Sequence, residues 1–232
     1  MTSQDDNIKP ERGADDSRKP RSDGAQSRER LLLTAIRLFA ERGFANSSTR
    51  DIALAAGANV AAISYYFGDK AGLYRACFNN HSAGPQKDIE MFDQPHFTLR
   101  QSLEGFYAQL MVQMGQGDLA QLCMRLWFRE MLEPTGLWAE EIVHGIQPVH
   151  LALVGVLARH LGVAKAGDAL HRLAFSIAGL GLHIMITRDV IESIRPQLLA
   201  TPEAFERWSA TLADYALALV GAEQTRLHKG IA

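Results

Sequence analysis

The sequence predicts an all-α fold in two parts, a small N-terminal three-helix unit and a larger helical body. Apolar residues recur at spacings of three and four along most of the chain, and nowhere alternate in the strict manner of a half-buried strand. Glycine and proline clusters fall between these runs and cut them to ordinary helix lengths. With 232 residues, 47% of them hydrophobic, the chain can bury a sizeable core.

Residues 1–26 are rich in Asp, Ser, Lys and Arg and nearly devoid of large apolar side chains, so a disordered tail is expected there. From Ser27 the helical pattern begins: Leu32, Ala35, Ile36, Phe39 and Ala40 share one face, and Gly43 terminates the run. Thr49 can cap a second helix that Gly57 closes, Asn59 a third from Val60 to about Phe67, and Asp69 a fourth. Further helices are expected over 69–82, 97–115, 118–132, 137–161, 166–191 and 202–221. The breaks are Gly84-Pro85, Gly115-Gln116-Gly117, Pro134-Thr135-Gly136 and Arg195-Pro196. Pro148 lies inside the 137–161 run and predicts a kink. The domains are thus the tail 1–26, a head 27–75 and a body 76–225.

Composition narrows the function. Two cysteines, Cys77 and Cys123, lack metal-ligand spacing and read as buried thiols in a reducing cytoplasm. The polar N-terminus is not a signal peptide, and no run of ~18 uninterrupted apolar residues appears, so neither secretion nor a membrane is expected. The net charge is −2, but its distribution is uneven. Residues 27–75 hold seven basic and four acidic side chains, whereas residues 76–232 hold twelve and sixteen. A basic head on an acidic body suits a module that meets the phosphate backbone.

Two short helices joined by the Gly57-Ala58-Asn59 turn behind a longer one form the arrangement of a helix-turn-helix. Ile52, Ala53, Ala56 and Ile63 would fix the angle between the second and third helices. Val60, Ala61, Ala62, Ser64, Tyr65 and Tyr66 are then shared between packing and an outer face. Tyrosine hydroxyls and Lys70, near a helix start, suit phosphates. Val60, Ala61 and Ala62 carry no hydrogen-bonding side chain, so base readout would fall on thymine methyls and on Arg50, whose fork fits guanine.

The stretch "LLLTAIRLFAERGFANSSTRDIALAAGANVAAISYYFGDKAGLY", with its aromatic pair and Phe-Gly-Asp-Lys ending, resembles the N-terminal domain of the TetR family of transcriptional regulators, over about a fifth of the chain. The resemblance implies a third helix in the major groove of an operator, with Thr49, Arg50, Val60, Ala61, Ala62, Ser64, Tyr65, Tyr66 and Lys70 touching double-stranded DNA. "RLWFREMLEPTGLWAEEIVHGIQP" resembles the YbiH-type C-terminal domain of one branch, associated with control of transport and drug-sensitivity genes. The implied function is a ligand-responsive regulator, most simply a repressor released by a small molecule.

For an effector site the soft and aromatic residues of the body are the candidates: Phe106, Leu110, Met114, Trp127, Phe128, Met131, Trp138, His144, Phe175, His183 and Met185. The competing reading of such a stripe is plain core. An alternative function rests on Glu141-x-x-His144 and Asp168-x-x-His171, two carboxylate-histidine pairs that could serve a metal-dependent helical-bundle enzyme with Glu104 and Glu130. Their commoner meaning is solvated charge, and no nucleophile elbow, phosphate loop or zinc-protease pattern supports catalysis. No catalytic residue, metal or cofactor is therefore assigned.

One short recognition helix reads few base pairs, so a two-fold homodimer is expected. Its interface would come from the last two helices, through Ala174, Phe175, Ala178, Gly179, Gly181, Leu182 and Ile186 on one and Phe205, Trp208, Leu212, Tyr215, Ala216 and Leu219 on the other.

Overall fold

The protein is described here by a computed structural model covering residues 19–79 and 84–230. Among these residues every regular element is helical: α1 (Lys19–Arg42), α2 (Thr49–Ala55), α3 (Ala61–Phe67), α4 (Lys70–Asn79), α5 (Pro85–Glu90), α6 (Leu99–Gly115), α7 (Asp118–Leu132), α8 (Leu137–Glu141), a π turn (Ile142–Ile146), α9 (Gln147–Leu161), α10 (Asp168–Ile186), α11 (Arg188–Ile194) and α12 (Pro202–His228).

The expected caps are largely in place. Asn59 Oδ1 accepts from the Ala61 amide at 2.9 Å and Asp69 Oδ1 from the Gly72 amide at 2.7 Å. At α2 the cap is Ser48, not Thr49: its hydroxyl accepts from the Asp51 amide at 3.0 Å, and Thr49 is the first helical residue. Thr98 and Gln101 close α6 with a reciprocal capping box.

Four boundaries differ from the sequence reading. Residues 19–26, assigned to the disordered tail, are the first turns of α1, because a helix anchored by buried Leu31, Leu32, Ala35 and Ile36 extends cheaply into polar sequence, and Pro20 falls where no helical N–H is required. The rest of the tail, residues 1–18, lies outside the described residues. The 137–161 run is interrupted by a π turn immediately before Pro148, which relieves the missing proline N–H. The 166–191 run divides at Thr187, whose hydroxyl donates back to the His183 carbonyl at 2.7 Å. α12 continues well past residue 221, to His228.

Two cores result. The head core gathers Leu31, Ala35, Ile36 and Phe39 of α1, Ile52 and Ala53 of α2, Ile63 of α3, Leu73, Tyr74 and Cys77 of α4, and also Cys123 and Leu126 of α7. The head is thus closed from below by a body helix. Cys77 and Cys123, far apart in sequence, share this core as free thiols, and burial pushes Cys123 up to about 11 and Cys77 higher still. Such thiols are poor nucleophiles.

The body core joins α6, α9, α10 and α12 through residues such as Leu103, Tyr107, Leu157, Ile177 and Ala213. α12 runs antiparallel to α6: Arg100 pairs with Asp214 at 2.8 Å near one end, and Gly115 faces the Phe205 ring at the other. Side chains of α6 pack onto the bare backbone of α10 at Gly181, where a Cβ would stand 2.7 Å from Leu110 Cδ1. Helices 137–161 and 168–186 are long and apolar enough to cross a membrane by length and composition, although only 22% and 33% of their apolar windows are buried.

Candidate nucleic-acid interface

The head is preorganised by short-range chemistry. The left-handed Gly57 (φ +62°) turns the chain sharply after α2, and the Ala58 amide donates to the Ala53 carbonyl at 2.9 Å. Ile52, Ala53 and Ile63 are buried, which sets the α2–α3 angle as the spacing implies. The opposite side of this pair is a strip of exposed side chains: Arg50, Val60, Ala61, Ser64 and Tyr65. Thr49, Ala62, Tyr66 and Lys70 are half-buried at its margins. All nine positions expected at DNA therefore lie on the surface or its edge.

The tyrosine pair divides its work. Tyr65 is 83% exposed, whereas Tyr66 is half-buried against the head core. Their rings meet edge to face with centroids 4.9 Å apart, so the outer ring is steadied by the inner one. Lys70 is positioned by a contact that spacing did not suggest: its Nζ stands 4.4 Å above the Phe44 ring, in the loop after α1. Arg28 of α1 lies over Phe67 in the same way, 5.1 Å from the centroid.

Head and body are joined by a buried carboxylate. Glu130 of α7 is fully buried and accepts from Tyr74 Oη of α4 at 2.9 Å, the Thr135 amide at 2.8 Å, the Thr135 hydroxyl and the Trp138 amide at 3.2 Å. Sequence reading grouped Glu130 with possible metal ligands; its acceptor sites are instead filled by neutral donors from three segments. Arg129 lies against Gly43, the turn that ends α1. A cavity of about 250 Å³ opens beside this junction between Phe44, Tyr74 and Arg75 of the head and Thr135, Leu137 and Glu140 of the body.

The body candidates for an effector do not converge on one cavity. Phe106 is core, and Leu110 packs against Gly181. Trp127, Phe128 and Trp138 form a half-buried edge-to-face cluster, Trp127 and Trp138 being 4.9 Å apart, with Met131 half-buried in the same helix. Phe175 is 62% exposed and stacks on His150 at 4.1 Å, His144 and His183 are exposed, and Met185 is half-buried. Met114 alone of these lines the larger cavity, about 590 Å³, at the far end of the body. There Met111, Leu199 and Phe205 supply apolar walls and Gln116, Gln121 and Arg188 polar ones. Arg188 closes one side by donating to the Met114 carbonyl at 2.7 Å.

The carboxylate-histidine pairs do not assemble. Glu141 accepts from Trp127 Nε1 at 3.1 Å and packs on Gly145, while His171 turns to His150, Nδ1 to Nε2 at 2.9 Å. Among the described residues no group of three metal-binding side chains forms.

Comparison with known proteins defines the class first. Residues 31–77 match the bacterial regulatory proteins of the tetR family, and residues 99–222, more than half of the chain, match the C-terminal domain of the HTH-type transcriptional dual regulator CecR. The chain belongs to the TetR family of transcriptional regulators, in the group with the CecR-type C-terminal domain. CecR of Shigella flexneri is 32% identical over 155 residues, covering 60% of this chain and 66% of CecR. The match thus falls just short of two thirds of that relative's length, and reaches 31% and 39% of two further curated regulators. The same all-α fold recurs in the SmeT–triclosan complex (TM-score 0.59, 17% identity, 83% of this chain and 90% of that one). It recurs as well in NalD, the secondary repressor of the MexAB-OprM multidrug efflux pump in Pseudomonas aeruginosa (TM-score 0.53, 18% identity, 87% and 97%). CecR is thus named a transcriptional dual regulator and NalD a repressor.

Proposed function

We propose that this protein is a cytoplasmic, homodimeric, ligand-responsive DNA-binding regulator, acting chiefly as a repressor that a small molecule releases from its operator. The observation that carries the reading is the exposed strip Arg50–Val60–Ala61–Ser64–Tyr65, flanked by Lys70, on a helix pair whose inner face is fully committed to the head core. Arg50 reads bases, Tyr65, Tyr66 and Lys70 hold phosphates, and the alanines admit close approach to the groove floor. No membrane takes part in this reading. The exposed apolar surface of α10 and α12, around Phe175, Gly179, Ile186 and Tyr215, meets a second copy and places two α3 helices one turn of DNA apart, about 34 to 36 Å.

The head, residues 27–75, and the body, residues 76–225, act as the two functional units although they share a core. An effector in the roughly 590 Å³ cavity, a size suited to a drug-like molecule, shifts α6 and α7; the Tyr74–Glu130 contact carries the shift to α4. SmeT holds triclosan and NalD represses an efflux pump, which favours a lipophilic effector and transport or drug-sensitivity genes as targets. CecR is a dual regulator, so activation at some promoters belongs to the same reading.

Fluorescence anisotropy on DNA from upstream of its own gene tests the proposal. Salt-sensitive, sequence-preferring binding by a dimer, weakened by a lipophilic compound, is expected. Equal affinity for upstream and random DNA overturns it.

A further inference from the structure

The cavity of about 250 Å³ at the junction of head and body has both of its walls fixed by one carboxylate. Glu130 accepts from the Tyr74 hydroxyl on the head side at 2.9 Å, and from the Thr135 and Trp138 amides on the body side at 2.8 and 3.2 Å. Glu130 is fully buried, so moving either wall strands a polar group away from water. The lining is amphipathic. Phe44, Ala71, Tyr74 and Leu137 supply apolar surface, and Arg75 and Glu140 stand beside it with opposite charges. Arg75 Nε lies 3.8 Å from Glu140 Oε2, beyond hydrogen-bond distance, and both side chains are at least half exposed, so their mutual attraction is weak. The Phe44 ring carries Lys70 Nζ at 4.4 Å and meets the Tyr74 ring with centroids 5.0 Å apart. An occupant of this cavity therefore touches the platform of a DNA-facing cation and the ring that ties head to body. None of these residues lines the larger cavity at the far end of the body.

We propose that the cavity at the head–body junction is a second effector site, which takes a small zwitterion with an apolar side chain, of the α-amino acid class. The inference rests on the DNA reading above for its effect, and is separate from the effector assigned to the larger cavity. The ligand carboxylate accepts from the Arg75 fork, its ammonium donates to Glu140, and its side chain lies along Phe44, Tyr74 and Leu137. A lone anion faces Glu140 without a partner for it, and a lone cation does the same to Arg75, so a molecule with both charges on neighbouring atoms is preferred to either. The volume lies below the ~300 to 1,000 Å³ of drug-sized sites, which selects a small molecule. Because the walls come from both units, occupation fixes the angle of α4 to α7 and the seat of Lys70 together. Ligand and DNA then change each other's affinity by the same factor.

The first test is calorimetry on the full-length protein without DNA. L-phenylalanine and L-leucine are compared with 3-phenylpropanoate and 2-phenylethylammonium, which keep the phenyl ring of phenylalanine and carry one charge each. At least one amino acid should bind, and the singly charged probes should bind about tenfold or more weakly than phenylalanine. In Arg75→Gln phenylalanine should bind no better than 2-phenylethylammonium, and in Glu140→Gln no better than 3-phenylpropanoate. Heat from neither amino acid overturns the site, as does parental binding in both variants. The second test is anisotropy on upstream DNA, where a saturating amino acid should change affinity by about fivefold or more. Ala71→Phe, a change at an exposed position on the cavity rim, should shift DNA affinity in the same direction and abolish the response to the ligand. Binding with no change in DNA affinity overturns the effector role. A parent that binds the amino acid but does not prefer upstream DNA upholds the site and defeats the regulator reading, so the two failures are separable.

Discussion

Tyr74 Oη donates a 2.9 Å hydrogen bond to Glu130 Oε2, joining the last helix of the head to a helix of the body through a carboxylate with no exposed surface. Burial first, and then this bond, raise the Tyr74 phenol far above its ordinary range, so it remains a donor at any working pH. Tyr74→Phe removes one charge-assisted bond and should cost about 1.5 to 3 kcal/mol. Glu130→Ala strands buried donors and should cost more. Urea midpoints check both, and a Glu130→Ala protein as stable as the parent would refute the latch.

Lys70 and Arg50 should fail differently. Lys70→Ala removes a charge held over Phe44, lowering affinity for all DNA and flattening the salt slope by about one unit. Arg50→Ala removes a base reader and should erase about 1 to 3 kcal/mol of preference at one position. Anisotropy titrations on matched and singly substituted duplexes distinguish the two.

The tyrosines separate stability from binding. Tyr65 is almost wholly exposed, so Tyr65→Ala should weaken DNA binding while moving the unfolding free energy by less than about 0.5 kcal/mol. Tyr66 also packs on the head core, and Tyr66→Ala should lower both. Equal destabilisation by the two changes would contradict the observed division.

Stability should fall on mild acidification. Burial, and secondarily His171, lower the pKa of His150, so the folded protein resists a proton that the unfolded chain takes up near the ordinary histidine value of about 6.5. The contribution is complete above that value and is lost as pH falls from it toward the lower folded value. His160, lowered by burial and then by Arg159, adds to the same slope. Thermal melts at about pH 7.5 and about pH 5.5, on either side of that ordinary value, should show a smaller difference in His150→Gln than in the parent.

The dimer face must be tested at residues that do not hold the monomer together. Leu212, Ala216, Ala174 and Gly181, expected at the interface, are buried within one chain, and Trp208 donates to the Leu198 carbonyl at 3.0 Å. Leu212→Glu should therefore unfold the protein. Phe175→Asp with Tyr215→Asp, both at exposed positions, should give a folded monomer in sedimentation. A folded, fully dimeric double variant would place the interface elsewhere.

The helices and the reading head were legible in the residue pattern. Ile52, Ala53 and Ile63 at helical spacing around Gly57 leave one face for Arg50, Ser64 and Tyr65, and local caps at Asn59 and Asp69 fix the ends, because these relations span only a few residues. Which apolar helix faces are shared within the chain was settled by the packing of distant segments: spacing marks Phe175 and Ala174 alike as apolar, yet one is exposed and the other fully buried. Packing also chose the long-range partners, Lys70 on Phe44, Tyr74 on Glu130, His171 on His150 and α1 on Tyr66. Periodicity reports which side of a helix is apolar, but which helix covers it depends on how all the helices close one core together, and no local pattern carries that information.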